Sequence, residues 1–151
     1  MNHIYLDLDG VVLLEDDRRN TVISRTAVEL LQVLRRDVQA EIWIISSRRN
    51  TTPWPQLCID LDAAGIGGVH CAPLRHAQAQ AVRLLLHEHK PEQWIIIDDD
   101  PHRYTGQPDL QARLVVPSNR FGLLEQGYHQ ARRLFGLADL EATIEFNDND
   151  L

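Results

Sequence analysis

Two carboxylates stand two positions apart where the first apolar run of the chain ends. Residues 3–6 lead directly into Asp7, Leu8, Asp9 and Gly10. A short apolar run that ends at a turn signal is typical of a buried strand in a parallel sheet. Alternate residues of a strand face the same side, so Asp7 and Asp9 can point at one site. Because two adjacent carboxylates repel each other, they require a cation, a proton or a reaction that uses them.

Three interpretations of this stretch differ in what the carboxylates do. Aspartate and glycine are common turn residues, so the stretch can be a strand followed by a solvated turn. A calcium loop of the EF-hand type needs a third ligand before its glycine and a helix on either side. Gly10 follows Asp9 directly after a strand-like approach, which excludes that loop. The third interpretation is a catalytic pair, in which Gly10 turns the backbone and leaves room for a ligand.

A second predicted strand, residues 41–46, also changes abruptly from apolar to polar at its end. It includes Ser46 and is followed by Ser47, Arg48 and Arg49. This can be an ordinary strand exit, or the serine hydroxyls and nearby N–H groups can hold a phosphate oxygen. The two arginines would add charge for a phosphate-bearing substrate, and for at least one of them a solvated loop is expected.

The clearest predicted buried strand, residues 94–97, runs into Asp98, Asp99 and Asp100. Three consecutive carboxylates after a buried strand are costly unless something compensates their charge. A solvated loop would explain them in isolation. Their position at another strand end favours a site shared with Asp7 and Asp9.

Helix and strand patterns alternate along the rest of the chain. Ala27, Leu30, Leu31 and Leu34 are spaced as one helix face, with Ser24 as its N-cap, and a short flap or hairpin precedes them. Further helices are predicted at 53–65, 75–90, 124–135 and 137–144, and short strands at 69–71 and 114–116. This alternation predicts an α/β fold, a three-layer sandwich with a central parallel sheet and helices on both faces.

Open parallel sheets bind their ligands beyond the carboxyl ends of the strands. Asp7, Asp9, Ser46, Asp98 and Asp99 are all expected at that edge. The sequence has no GxxxxGK[ST] or GxGxxG stretch, which argues against a mononucleotide kinase or a dinucleotide-binding protein.

Composition sets further limits on the function. The chain has 151 residues, of which 44% are hydrophobic, and is expected to form one domain over residues 1–146 with a frayed acidic tail at 147–151. Its net charge of −7 provides no global basic field to attract nucleic acid. We see no membrane-spanning stretch, no signal-peptide pattern and only two cysteines, so a cytoplasmic protein without membrane partners is predicted.

The strand-end motifs together resemble those of the haloacid dehalogenase (HAD) superfamily of phosphohydrolases over nearly the whole chain. Residues 7–10 resemble its first motif, DxDG after a strand, and residues 44–46 its second, a strand that ends in Ser or Thr. Residues 95–99 resemble the fourth, a strand that ends in acids. The third motif is usually a lysine near a helix start, and here Arg75 stands in that place.

The resemblance implies a reaction through an aspartyl-phosphate. Asp7 would be the nucleophile, and Asp9 would act first as a general acid and then as a general base. A Mg²⁺ ion would be held by Asp7, by the backbone carbonyl of Asp9, and by Asp98 or Asp99. The dehalogenating branch lacks an acid at the position of Asp9, so its presence indicates phosphate chemistry.

The resemblance also assigns the residues around the phosphate. Gly10, Ser46, Ser47 and Arg75 would surround the phosphoryl oxygens, with Arg75 in direct contact. Arginine in place of lysine keeps the charge but changes the geometry.

The spacing of the motifs leaves no room for a sizeable cap domain, so the implied fold is a capless, Rossmann-like HAD domain. Capless members have open sites that often act on large substrates. The short chain and the turn at residues 121–123 resemble HAD-like domains of RNA-repair proteins, which implies removal of phosphate from RNA ends, with DNA ends as a related substrate.

The alternative function is a catalytically weak module that binds a phosphorylated ligand or protein. Arg75 favours this alternative, and the Asp7–Asp9 pair opposes it.

Overall fold

A computed structural model describes residues 1–51, 53–118 and 120–137 of the chain. Its strands and helices alternate as the sequence predicts. In chain order the elements are β1 (Asn2–Leu6), β2 (Leu13–Glu15), β3 (Thr21–Ile23), α1 (Arg25–Val38), β4 (Ala40–Ile44), α2 (Trp54–Ala64), β5 (His70–Cys71), α3 (Gln78–His89), β6 (Trp94–Ile97), α4 (Pro108–Gln111), β7 (Leu114–Val115) and α5 (Glu125–Leu134).

Five of the strands form one parallel sheet in the order β5–β4–β1–β6–β7. The first strand of the chain therefore lies in the middle of the sheet. Leu6, the last residue of β1, is opposite Ile44 on one side and Ile97 on the other. The chain segments that follow β1, β4 and β6 consequently leave the sheet side by side.

The alternation of side chains along β1 divides the core into two layers. Ile4 and Leu6 pack with residues of α1 and α5 on one face, among them Leu31 and Tyr128. Tyr5 faces the other side, where it packs with residues of α3. Helices thus cover both faces, which confirms the predicted three-layer α/β sandwich. No helix in the described parts of the chain is long and apolar enough to cross a membrane.

A small antiparallel hairpin of β2 and β3 stands apart from the main sheet and confirms the flap expected after Gly10. The Asp16 side chain organises its turn by accepting hydrogen bonds from the backbone N–H of Arg18 and Asn20, at 2.9 and 2.8 Å. α1 follows, and Ser24 caps it by accepting from Ala27 N at 3.2 Å, as predicted. Within the described residues this hairpin is the only addition near the sheet edge, so no cap domain is present there.

Several boundaries differ from the sequence prediction. The strand expected at 41–46 ends at Ile44, because the Ser46 hydroxyl accepts from Arg48 N and starts a 3₁₀ helix at Ser47–Asn50. The strands at 69–71 and 114–116 are each one residue shorter. The helix expected from residue 75 begins at Gln78, since Arg75 has a left-handed φ of 67°. Except for Leu137, the predicted helix at 137–144 lies outside the described residues, as does the tail at 147–151.

Candidate active site

Three carboxylates converge at the carboxyl ends of β1 and β6. Asp7, Asp98 and Asp99 each offer one oxygen, and these oxygens lie within 4.8 Å of one another. Asp7 is 2% exposed and Asp98 is fully buried. The sheet fixes their positions, because Asp7 N donates to Ile97 O at 2.9 Å and Asp98 N donates to Val115 O at 3.1 Å. The structure therefore brings these three predicted residues together.

A cation that the sequence analysis did not predict lies among the three carboxylates. Nη1 of Arg103 is 2.7 Å from Oδ1 of Asp98, 3.2 Å from Oδ2 of Asp7 and 3.9 Å from Oδ1 of Asp99. Arg103 belongs to a 3₁₀ helix at Pro101–Tyr104 that directly follows the acidic run. The next residue, Tyr104, donates its hydroxyl proton to Oδ2 of Asp98 at 2.7 Å.

The cluster remains short of positive charge despite Arg103. Burial, and then the charge of Asp98, raise the pKa of Asp7 to about 8, against the lowering effect of Arg103. Burial also raises the pKa of Asp98, although hydrogen bonds from Asp100 N and the Tyr104 hydroxyl oppose that shift. Groups held this way favour an additional cation or a proton.

These residues fit a Mg²⁺ ion. The ion prefers oxygen ligands, and the three carboxylates offer oxygens with more negative charge than one guanidinium can balance. Asp7, Asp98 and Asp99 would hold it. The side chain of Asp9 is not part of this cluster, in keeping with the expectation that its backbone carbonyl rather than its carboxylate takes part.

The Asp9 carboxylate faces an open cleft and is paired with Arg48. Nη2 of Arg48 is 2.8 Å from Oδ1 of Asp9, and Nε is 3.1 Å from Oδ2. Both side chains are partly exposed. A bidentate guanidinium–carboxylate pair of this kind fixes orientation as well as charge.

Gly10 allows the backbone to pass close to Asp99. Its φ is +77°, and a Cβ atom added there would lie 2.1 Å from Oδ2 of Asp99. Any side chain would therefore push Asp99 out of the cluster. The glycine predicted to make room at the site does so for a neighbouring carboxylate.

The residues predicted to bind phosphate differ in where they lie. Ser46 is buried and its hydroxyl accepts from Arg48 N at 3.2 Å, whereas Ser47 is exposed. Arg75 is exposed, and its backbone N–H donates to Oδ1 of Asn50 at 3.1 Å. Its side chain has no hydrogen bond or ion pair with any residue that the structure describes. The structure does not bring it into contact with Asp7, so its role at phosphate stays a prediction.

Arg49, which the sequence analysis offered with Arg48 as charge for a phosphate, is buried at 3% exposure. Arg48 is the more exposed of the two and is paired with Asp9. The Arg49 guanidinium donates to four backbone carbonyls, those of Ile45, Ser46, Pro73 and His76. It therefore fastens the loop after β4 to the segment that precedes α3, at the rear of the site.

The cleft above the carboxylates has a volume of about 440 Å³ and is open to solvent. Asp9, Gly10 and Asp99 form part of its floor, and residues of the β2–β3 hairpin form one wall. Three arginines line it: Arg19, Arg48 and Arg120. Asp9, Glu15 and Asp99 also line the cleft, so its positive and negative side chains are equal in number.

Comparison with known families agrees with this geometry. Residues 3–127 match the family described as the HAD domain in Swiss Army Knife RNA repair proteins. None of the curated proteins matches the chain. The match spans the sheet from residue 3 onward, the acid cluster and the first residues of α5, and it supports a phosphohydrolase of the HAD type. The chain therefore belongs to the HAD domain family of Swiss Army Knife RNA repair proteins.

Proposed function

We propose that this domain is a Mg²⁺-dependent phosphohydrolase that works through an aspartyl-phosphate and acts on nucleic-acid ends. One observation carries the proposal: a buried Asp7 lies beside Asp98, Asp99 and Arg103, with the Asp9 carboxylate on the open side. Asp99 and Asp9 line the same cleft, which supports a nucleophile and cation ligands at the strand ends with a proton-transfer group beside them.

In the first step an oxygen of Asp7 attacks phosphorus, and the bond from phosphorus to the leaving oxygen breaks. Asp9 gives its proton to that oxygen. In the second step Asp9 takes a proton from water, whose oxygen attacks the phosphorus and releases Asp7 and inorganic phosphate. When bound, Mg²⁺ would neutralise the carboxylates and the phosphoryl oxygens.

Arg48 connects substrate binding to the proton transfer. In the free domain it contacts both oxygens of Asp9. A phosphate group in the cleft offers the guanidinium a competing partner. Arg48 then turns towards the substrate, and an oxygen of Asp9 becomes free to meet the leaving group.

The cleft supports a polymeric substrate. It is open, no cap domain covers it among the described residues, and Arg19 and Arg120 line it together with Asp9. These arginines are placed to contact further backbone phosphates of an RNA or DNA end. The family description, which concerns RNA repair, points the same way.

Phosphate release from several substrates tests the proposal. With Mg²⁺, short RNA and DNA strands carrying a 5′- or 3′-phosphate should react faster at equal concentration than glycerol phosphate, and chelator should stop all release. Arg19→Gln should raise KM for the strands and leave glycerol phosphate unchanged. Binding of phosphorylated strands without any release would instead support the catalytically weak binding module.

Replacing Asp9 with Asn should slow poor leaving groups most. We expect a loss of roughly 10²–10⁴-fold with alkyl phosphates, which need a proton on the leaving oxygen, and a much smaller loss with nitrophenyl phosphate. Steady-state rates on both substrates measure the difference, with Asp17→Asn on the exposed hairpin turn as the control. Equal losses on both substrates would contradict the acid role.

A further inference from the structure

We propose that Arg103 is a built-in counter-cation that competes with the divalent ion for the acid cluster and is displaced when the ion binds. This inference rests on the proposed function, since it concerns the ion that the reaction uses. It assigns Arg103 a role in setting how tightly the domain holds its metal.

The competition follows from the atoms that Arg103 occupies. Its Nη1 lies between Oδ1 of Asp98 and Oδ2 of Asp7, at 2.7 and 3.2 Å. An ion that bridges the same two carboxylates needs oxygens at about 2.0–2.1 Å and has to enter that space. A guanidinium and a divalent cation so close together also repel each other strongly in a buried site.

Arg103 has a place to withdraw to. Its side chain is 33% exposed, and its Nε already lies 3.8 Å from Oδ2 of Asp100. An open depression of about 490 Å³ adjoins it, lined by Asp99, Asp100, Pro101, His102, Arg103 and Val116. The guanidinium can therefore leave the cluster without opening the core.

Asp98 keeps its orientation when Arg103 leaves. The Tyr104 hydroxyl donates to Oδ2 and the backbone N–H of Asp100 donates to Oδ1, at 2.7 and 3.0 Å. Neutral donors thus orient Asp98, while a movable cation balances its charge. An ion can therefore replace the arginine with little rearrangement of this carboxylate.

Calorimetric titration of the full chain with MgCl₂, without substrate, tests the inference. Arg103→Gln should bind Mg²⁺ at least about tenfold more tightly than the wild type, or roughly 1.4 kcal/mol. The titration is run in two buffers of different ionisation enthalpy, so that protons released by the carboxylates when Mg²⁺ binds are counted separately from the loss of the guanidinium. Arg83→Gln is the matched control, because Arg83 pairs with Asp109 on the exposed surface and should leave the affinity unchanged.

A second measurement follows Arg103 in the unaltered protein, and a variant serves only to assign its signal. The Nε–H resonance of Arg103, assigned with Arg103→Lys, should shift as Mg²⁺ saturates the site, whereas that of Arg83 should stay in place.

Unchanged or weaker affinity in Arg103→Gln, or an unmoved Arg103 resonance at saturation, would overturn the inference. Phosphate release is measured separately. If the wild type releases phosphate but gives either of these results, only the proposed competition is wrong. If Arg103→Gln binds Mg²⁺ more tightly but the wild type releases no phosphate, the competition holds and the phosphohydrolase proposal is wrong. If neither protein binds Mg²⁺, both proposals fail.

Discussion

Replacing Asp7 with Asn should abolish phosphate release and leave the fold intact. Asparagine has the size of aspartate but no nucleophilic carboxylate, so the aspartyl-phosphate cannot form. We expect turnover with Mg²⁺ to fall by at least about 10³-fold, equivalent to roughly 4 kcal/mol of transition-state stabilisation. Circular dichroism establishes that the variant is folded, and release of inorganic phosphate measures turnover.

The matched control is Asp109→Asn, which removes an exposed carboxylate that pairs with Arg83 away from the cleft. It should retain wild-type turnover. A folded Asp7→Asn variant with more than about a tenth of wild-type turnover would show that another group is the nucleophile.

The metal-free protein should lose stability as the pH rises from about 4 to about 8. Burial raises the pKa of Asp7 from 3.8 to about 8, so across this range the folded state binds a proton that the unfolded chain releases. The stability that this bound proton contributes is fully present below the pKa of Asp7 in the unfolded chain. It is lost as the pH rises through the pKa of Asp7 in the folded protein. Burial and a neighbouring carboxylate also raise the pKa of Asp98. We therefore expect the free energy of unfolding to fall by at least about 2 kcal/mol over this pH range. Urea unfolding in chelator at several pH values measures it.

Asp7→Asn isolates this effect from the other titrating groups. Burial lowers the pKa of His3, which acts in the opposite direction because the unfolded chain then binds the extra proton. The variant keeps His3 and loses Asp7, so its stability should fall less with pH. Mg²⁺ at about a hundred times its dissociation constant should restore roughly 2.7 kcal/mol to the wild type at high pH. A wild type and a variant with the same pH dependence would show that Asp7 is not the cause.

The acidic part of the site was predictable because it depends on one topological rule. Asp7 and Asp98 end strands of a parallel sheet, and the carboxyl ends of such strands share an edge. The order of the strands was not predictable from hydrophobic pattern alone, since every buried strand has a similar pattern. The position of β1 between β4 and β6 depends on pairing between segments that are far apart in the sequence.

Arg103 was missed for a physical reason. The sequence analysis assigned no role to the segment after Asp100, yet Arg103 folds back onto the carboxylates that precede it. The one available indication was its spacing, four residues after Asp99, which is the distance at which helical ion pairs form. Arg49 gave no such indication, because its partners are backbone carbonyls, which the sequence does not distinguish.

The central position of β1 also determines when during folding the site can exist. His3 pairs with Trp94, so closing the sheet between β1 and β6 joins segments about 90 residues apart. Contacts of such long range form slowly, because closing the long loop costs conformational entropy before the contacts that offset this cost have formed. A growing chain therefore carries Asp7 long before Asp98 is synthesised, and its acid cluster assembles only when β6 docks. A metal ion or phosphate that needs the assembled cluster would therefore not guide the early stages of folding, and its stabilisation would lower the rate at which the finished domain unfolds.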